Sequence, residues 1–131
     1  MSPDNKTHNF WLAARGLTLG QGFTITVDTN PRWISGLQIK NKGAAPGGAK
    51  EGWATKEFRV WGSLNKNGPY QTLLHEKLAD TSNKPAPLLN FTFEEPVKIK
   101  FLKFDLLDKW GLGGGLQYFA AIPCEYQENK H

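Results

Sequence analysis

The stretch that decides the fold is ISGLQIKN at residues 34–41, followed by ATKEFRVWGS at 54–63 and NKNGPYQTLL at 65–74. Apolar and polar side chains alternate in the first two segments, where Phe58 and Val60, for example, stand between charged residues. A period of two residues is typical of a β-strand with one buried face. The Asn-Gly-Pro of the third segment favours a turn, because Gly adopts positive φ easily and Pro cannot donate to a strand ladder. The stretch therefore predicts three strands joined by one long loop and one tight turn.

The same alternation recurs along the rest of the chain, and no segment favours a long helix. Strands are predicted near residues 23–27, 34–40, 57–63, 70–78, 89–93, 97–107 and 116–122. About eight short strands separated by turns predict an all-β fold, an antiparallel β-sandwich or jelly roll. Within VKIKFLKFDLL the apolar side chains change parity after Phe101. This change predicts a β-bulge between Phe101 and Leu102, or a stretch that is buried on both faces.

Length and charge limit the domain count and the class of partner. The 131 residues suffice for one domain with a core and are too few for two. We predict one binding domain over residues 10–126, between a flexible segment at 1–9 and a flexible tail at 127–131. The net charge of +4 weakly favours anionic partners, but no block of five Lys or Arg residues occurs, so nucleic acid is not an expected partner.

Cys124 is the only cysteine, which excludes a disulfide within the chain and a zinc site built on cysteines. A single cysteine is compatible with a reducing compartment and with an extracellular domain that has no bridge. No apolar run approaches the roughly 18 residues of a membrane-spanning helix, and no signal peptide is recognisable at the start of the chain.

Strand parity predicts where the connections lie. If successive strands run up and down, the loops at 12–22, 41–56, 80–87 and 108–115 share one end of the sandwich. The short turns at 28–33, 64–69 and 95–97 then share the other end. Binding residues usually cluster on long connections that a rigid scaffold holds in place. The long-loop end is therefore the expected binding surface.

Catalytic residue patterns are missing from the sequence. The three histidines, His8, His75 and His131, do not have metal-ligand spacing, and no serine lies in a nucleophile-elbow motif. Glu94 and Glu95 are adjacent, so on a strand they point to opposite faces and cannot flank one bond. We therefore do not expect an enzyme.

Five segments together resemble a known family: ISGLQIKN, ATKEFRVWGS, NGPYQTLL, VKIKFLKFDLL and WGLGGGLQYF. Their order and spacing resemble the discoidin domain, the C-type domain of coagulation factors V and VIII, in the galactose-binding-like superfamily. The resemblance extends from Phe10 to Glu125. It implies a jelly-roll sandwich that binds glycans, phospholipid head groups, collagen or other proteins with loops at one end. It also implies an extracellular or cell-surface, non-catalytic module.

The chain departs from that family at two points. Many members join their terminal regions by a disulfide, whereas here only Cys124 is present. Carbohydrate-binding relatives often hold a structural calcium ion with a Glu near the last strand. Tyr118 stands in that region here, so neither a metal nor another cofactor is expected.

Six residues on the long loops are the predicted ligand contacts: Trp53, Arg15, Asn83, Lys84, Lys50 and Trp110. Trp53 can stack on the apolar face of a sugar, insert into a membrane interface, or fold back over the edge of the core. Trp110 can stack on a ligand or pack in the core, and the glycines that follow it favour the core. The guanidinium of Arg15 and the amide of Asn83 can bind sugar hydroxyls, and the lysines suit a sulfated or carboxylated glycan or an anionic lipid.

The first hypothesis is a lectin-type carbohydrate-binding module for a glycan or glycoconjugate, with Trp53 as the stacking residue and Arg15, Asn83 and Lys84 as polar contacts. Its avidity would be raised by oligomerisation or neighbouring domains. The alternative is an adhesion module that binds anionic phospholipid or a protein. A third interpretation is a structural accessory domain of a larger protein.

Overall fold

The computed structural model describes residues 11–12, 21–43, 52–111 and 113–125. These residues form eight strands: β1 (Trp11–Leu12), β2 (Gly22–Thr26), β3 (Arg32–Asn41), β4 (Thr55–Ser63), β5 (Gln71–Lys77), β6 (Leu88–Ile99), β7 (Phe101–Lys109) and β8 (Gly115–Pro123). The predicted all-β fold of about eight strands is confirmed. Across these described ranges, no helix is long and apolar enough to cross a membrane.

The strands form two four-stranded sheets. The first sheet has the order β1-β8-β3-β6, and the second has the order β2-β7-β4-β5. Neighbouring strands are antiparallel in both sheets. Because each sheet places its apolar face against the other, the architecture is the predicted antiparallel sandwich of jelly-roll type.

The core between the sheets is built around Phe104 on β7. Its ring stacks on Phe23 with centroids 5.1 Å apart and on Phe58 with centroids 5.5 Å apart. Phe119 from the first sheet meets it edge-on at 5.8 Å. Aromatic pairs at such distances contribute about 0.5–1.5 kcal/mol beyond the area they bury. The alternation that predicted β4 is confirmed, because Phe58 and Val60 are fully buried.

The parity change near Phe101 has a different cause from the bulge that the sequence predicted. β6 belongs to the first sheet and β7 to the second, and Lys100 alone connects them. The N–H of Lys100 donates to Ser63 O at 2.9 Å, and its carbonyl accepts from Val27 N at 2.7 Å. The chain therefore passes from the first sheet to the second at Lys100. This crossing shifts by one residue the positions whose side chains face the core. The alternative of burial on both faces is also wrong, because β7 exposes Lys103.

The predicted short turn at residues 95–97 is a bulge within β6. Ile34 of β3 pairs with Val97, but Gly36, only two residues later, pairs with Thr92. The intervening residues 93–96 therefore loop out of the ladder with β3. Pro96 lies in this bulge, where the missing N–H costs no ladder hydrogen bond.

Apart from the turn predicted at 95–97, the described parts of the connections divide between the two ends as predicted. Residues 42–43, 52–54, 78–87, 110–111 and 113–114 lie at one end, which we call the loop end; there Lys40 pairs with Leu88, and Thr55 pairs with Lys109. Residues 27–31 and 64–70 and Lys100 lie at the opposite end, which we call the turn end. Most of the predicted loop at 12–22 falls outside the described residues, as do the predicted flexible segments at 1–9 and 127–131.

Candidate binding site at the loop end

The loop end rests on a buried side chain that joins the two sheets. Asn41, at the end of β3, is only 2% exposed. Its Oδ1 accepts from Thr55 N at 2.8 Å, and its Nδ2 donates to Thr55 O at 2.9 Å. The same Oδ1 accepts from Lys42 N at 2.9 Å. One amide therefore takes the place of strand pairing between β3 in the first sheet and β4 in the second.

Thr55 makes a second connection between the sheets. Its hydroxyl donates to Gly115 O at 2.8 Å and accepts from Gly115 N at 3.2 Å. Gly115 begins β8, so β4 is fastened to β8 as well as to β3. Loops that start from so rigid a base can hold a ligand-binding geometry more precisely than loops that start from a mobile one.

The Gly-rich connection between β7 and β8 lies directly on the end of the β3–β4 connection. Trp110 N donates to Ala54 O at 3.0 Å, and Gly113 N donates to Gly52 O at 3.3 Å. A Cβ at Gly111 would lie 2.7 Å from Gly52 O. The two backbones can approach this closely only because side chains are absent there.

Trp110 is an exposed aromatic with a fixed orientation. The side chain is 41% exposed, so the interpretation that placed it in the core is wrong. Its indole Nε1 donates to Leu78 O at 2.9 Å. The Lys56 ammonium lies 4.7 Å from the ring centroid and 3.8 Å from Asp108 Oδ2. The result is an aromatic ring with an ammonium over one face and a carboxylate paired with that ammonium.

Trp53 packs against the loop that carries Trp110. The structure places it half-buried, and a Cβ at Gly113 would lie 2.5 Å from Cζ3 of its ring. The ring therefore packs on the backbone of the loop that carries Trp110. Its position matches the alternative that Trp53 folds back over the molecule, and it gives Trp53 a supporting place behind the exposed ring.

Asn83 and Lys84 are exposed on the β5–β6 connection. This connection is held by Asp80, whose Oδ1 accepts from Ser82 N at 2.9 Å and from Ser82 Oγ at 2.6 Å. It also packs on the end of β3, since a Cβ at Gly43 would lie 2.6 Å from Lys84 O. The two predicted polar contacts thus lie on an anchored turn, with their side chains in solvent.

The basic surface expected at this end is smaller than the sequence implied. Lys42 is only 7% exposed, and its Nζ donates to Gly43 O at 3.1 Å. The ammonium of Lys109 donates to Gly111 O at 3.3 Å, and Lys56 is engaged by Asp108. Lys84 remains exposed. Two of the predicted ligand contacts, Arg15 and Lys50, lie outside the described residues.

Lys56 and Asp108, the neighbours of Trp110, were expected at this end of the sandwich but were not among the six predicted ligand contacts. Both residues belong to regular strands, where charged side chains alternate with apolar ones. This pattern is the same on any strand with one face in solvent, so it does not mark a binding site. The signal that could have found them is the register of β4 against β7, in which Glu57 pairs with Asp108 and Thr55 with Lys109. Register follows from the packed structure and is not encoded in one strand alone.

Metal-binding groups do not cluster in the part of the chain described here, where no three His, Cys, Asp or Glu side chains come together. Tyr118, at the position where the family resemblance implies a calcium ligand, lies half-buried in β8. Cys124 is a free thiol.

Known structures resemble this fold closely, although no protein-family model and no curated protein matches the sequence. CBM32-1, a carbohydrate-binding module from a family 31 glycoside hydrolase of Clostridium perfringens, superposes with a TM-score of 0.64 at 14% identity, covering 91% of this chain and 78% of the module. CBM32-3 of such a hydrolase from the same organism gives a TM-score of 0.62 at 16% identity, covering 92% and 78%. The chain therefore shares the β-sandwich fold of these carbohydrate-binding modules.

Proposed function

We propose that this chain, which has the fold of carbohydrate-binding modules, is itself a non-catalytic, lectin-type module that binds a saccharide at the loop end. The five segments that resemble discoidin domains support placing it in that family, and with it an extracellular or cell-surface location. The proposal rests on the arrangement of side chains at the loop end.

The observation that carries the proposal is the exposed ring of Trp110, fixed by its N–H bond to Leu78 O at 2.9 Å. Sugars present one face of C–H groups, and an indole offers a flat apolar surface of matching size. Because the ring already has one orientation in the free protein, little conformational entropy is lost when a ligand stacks on it. A fixed and exposed tryptophan is therefore well suited to a shallow sugar site.

Polar groups near the ring suit the hydroxyls of a sugar. The Asp108 carboxylate accepts hydrogen bonds and the Lys56 ammonium donates them; the ammonium lies over one face of the indole and 3.8 Å from the carboxylate. Asn83 and Lys84 supply further donors and acceptors from the anchored β5–β6 connection. We assign Trp110 as the stacking residue, Lys56 and Asp108 as its polar neighbours, and Trp53 as the residue that supports the loop.

Shallow sites of this kind bind weakly when they act alone. Repeating the module in an oligomer or beside other domains raises the overall affinity by about 10²–10⁴ without any new contact. We propose that the chain acts in this way, with glycans or glycoconjugates as its partners.

The test is a glycan array followed by titration of the strongest glycan against Trp110→Ala, Trp110→Phe and wild type. Removal of the stacking ring is expected to abolish measurable binding. Trp110→Phe is expected to retain part of it, because an aromatic face remains. Asn90→Ala, which removes an exposed polar side chain on β6, serves as the control. Equal binding by Trp110→Ala and wild type would refute the assignment of the site.

The lipid-binding alternative depends on free positive charge at the loop end. It is weakened by the engagement of Lys42, Lys56 and Lys109 with carbonyl or carboxylate oxygens. Sedimentation with vesicles of phosphatidylcholine, with and without phosphatidylserine, separates the two functions. Pelleting that requires phosphatidylserine and disappears at high salt would favour the lipid function over the saccharide function.

A further inference from the structure

A second concave site lies at the turn end of the sandwich, whereas Trp110 lies at the loop end. Its cavity has a volume of about 300 Å³. This volume is at the lower limit of small-molecule sites, roughly 300–1,000 Å³, and suits a ligand of one ring. The side chains that give the cavity its chemistry are Leu64, Asn65, Tyr70, Gln71, Lys98 and Ile99.

The apolar part of the cavity is rigid. The Tyr70 hydroxyl donates to Lys66 O at 2.6 Å. A Cβ at Gly68 would lie 3.2 Å from Tyr70 Cδ1, so the ring packs against the backbone of the turn. Gly68 itself has φ of 90°, which only glycine adopts readily. The turn therefore fixes Tyr70 as one wall of the cavity, before any ligand arrives.

The opposite wall is held just as firmly beside the sheet crossing. Asn65 N donates to Ser63 Oγ at 3.0 Å, and Ser63 O accepts from Lys100 N at 2.9 Å. Ile99, which is 2% exposed, lines the cavity next to this point. Leu64, by contrast, is 52% exposed, which leaves an apolar side chain at the rim without cover.

Among the described residues, the exposed polar side chains that line the cavity belong to one cation, Lys98, and two amides. The ammonium of Lys98 makes no ion pair with any residue in the described ranges, and its side chain is exposed. Asn65 and Gln71 are exposed beside it. No carboxylate from the described part of the chain lines this cavity; Glu94 and Glu95 line a separate depression along β6. The cavity thus pairs an uncompensated positive charge with neutral hydrogen-bonding groups and an apolar wall.

We propose that the turn-end cavity binds an acidic sugar residue, a six-membered ring that carries a carboxylate. Lys98 binds the carboxylate, the amides of Asn65 and Gln71 bind ring hydroxyls, and Tyr70 with Leu64 contacts the C–H face. A neutral sugar leaves Lys98 unused, and a purely aromatic acid leaves both amides unused. This site is independent of the proposed site at Trp110.

Two sites at opposite ends would allow one chain to connect two saccharides. β4 runs between the two ends and contains nine residues. At about 3.3 Å per residue, the sites lie roughly 30 Å apart. A single copy of the chain can therefore crosslink glycans without oligomerising.

The test is a titration followed by ¹⁵N–¹H NMR, with D-glucuronate and N-acetylneuraminate as ligands and D-glucose as the neutral control. We expect chemical-shift changes at residues 62–71 and 98–99 with the acids, and none there with glucose. The affinity should fall as salt is raised, because the contact with Lys98 is ionic. Lys98→Gln should weaken binding of the acids about tenfold or more, the usual effect of losing a hydrogen bond to a charged group.

Further variants separate the two sites from each other. Trp110→Ala should leave the shift changes at the turn end intact, and Lys98→Gln should leave glycan binding at the loop end intact. Methyl glycosides of the same acids distinguish the sources: shifts with both forms identify glycan termini as the ligand, and shifts with the free acids alone identify free sugar acids. The proposal is overturned if Lys98→Gln binds like wild type, if benzoate binds as tightly as the sugar acids, or if no shift occurs at the turn end.

Discussion

Asn41 and Thr55 form a side-chain-to-main-chain pair across the two sheets, in which one amide satisfies both the N–H and the carbonyl of Thr55. Both residues are buried, so water cannot replace either bond. The pair is the point at which the loop end is fixed to the sandwich, and it makes the stability of the fold and the geometry of the candidate site depend on the same contact.

Asn41→Ala should lower the free energy of unfolding strongly, although it removes only one small side chain. It leaves the N–H and the carbonyl of Thr55 buried without partners, at about 1–3 kcal/mol for each group, so we expect a loss of roughly 2–6 kcal/mol in the free energy of unfolding. Urea denaturation measures this loss. Asn90→Ala, at an exposed position on β6, should change the value by less than about 0.5 kcal/mol. Similar stabilities for the two variants would contradict the role of the Asn41 amide.

The Thr55 hydroxyl can be tested with two nearly isosteric changes. Thr55→Val keeps the shape but removes both hydrogen bonds to the main chain of Gly115, for which we expect a loss of about 2–3 kcal/mol. Thr55→Ser keeps both hydrogen bonds and removes one methyl group, at about 1 kcal/mol. Thermal and urea unfolding should therefore rank wild type above Ser and Ser above Val. The reverse order of the two variants would show that packing, and not hydrogen bonding, is the larger contribution of Thr55.

Gly113→Ala should displace the ring of Trp53. The added Cβ would lie 2.5 Å from Cζ3 and 2.8 Å from Cε3 of that ring. We expect a destabilisation of about 1–3 kcal/mol, the usual cost of overpacking. In a Trp53→Ala background the clash is absent, so the same glycine substitution should cost much less. A double-mutant cycle measures the difference. Equal costs in the two backgrounds would mean that Gly113 is required for another reason.

Asp28, between β2 and β3, gives a prediction for acid pH. The N–H of Thr29 and, next, the guanidinium of Arg32 hold the pKa of its carboxyl below the ordinary value of 3.8. A carboxyl whose pKa is lowered by folding stabilises the protein above its unfolded pKa, and this contribution is lost as the pH falls through the lowered value. Wild type should therefore melt slightly above Asp28→Asn at pH 6, and the difference should shrink below pH 3.8. A difference in Tm that does not vary with pH would contradict this.

The strands were predictable because their periodicity is local. The alternation around Phe58 and Val60 is visible in ten residues of sequence, and strand parity alone placed the long connections at one end. The crossing at Lys100 was not predictable in the same way. A bulge and a change of sheet both shift the apolar parity by one residue, and only the partners of the two halves distinguish them.

The candidate site was predictable in location but not in detail. The exposure of Trp110 depends on a hydrogen bond to Leu78, which is 32 residues away in the sequence. The burial of Lys42 likewise depends on how the β5–β6 connection packs on the end of β3. Such contacts between loops are set by the tertiary structure, so the residue types alone could not decide which tryptophan is exposed and which lysine is buried.

The single residue between β6 and β7 has a mechanical consequence. At Lys100 the backbone passes directly from one sheet to the other. The N–H of Lys100 is bonded to Ser63 at the end of β4, and its carbonyl is bonded to Val27 next to β2. At the loop end the sheets are joined through longer connections and through the side chains of Asn41 and Thr55. Partial opening should therefore begin at the loop end, and the amide protons of Thr55 and Gly115 should exchange with solvent earlier than that of Lys100. The region proposed to hold the sugar is then also the region where the sandwich first separates.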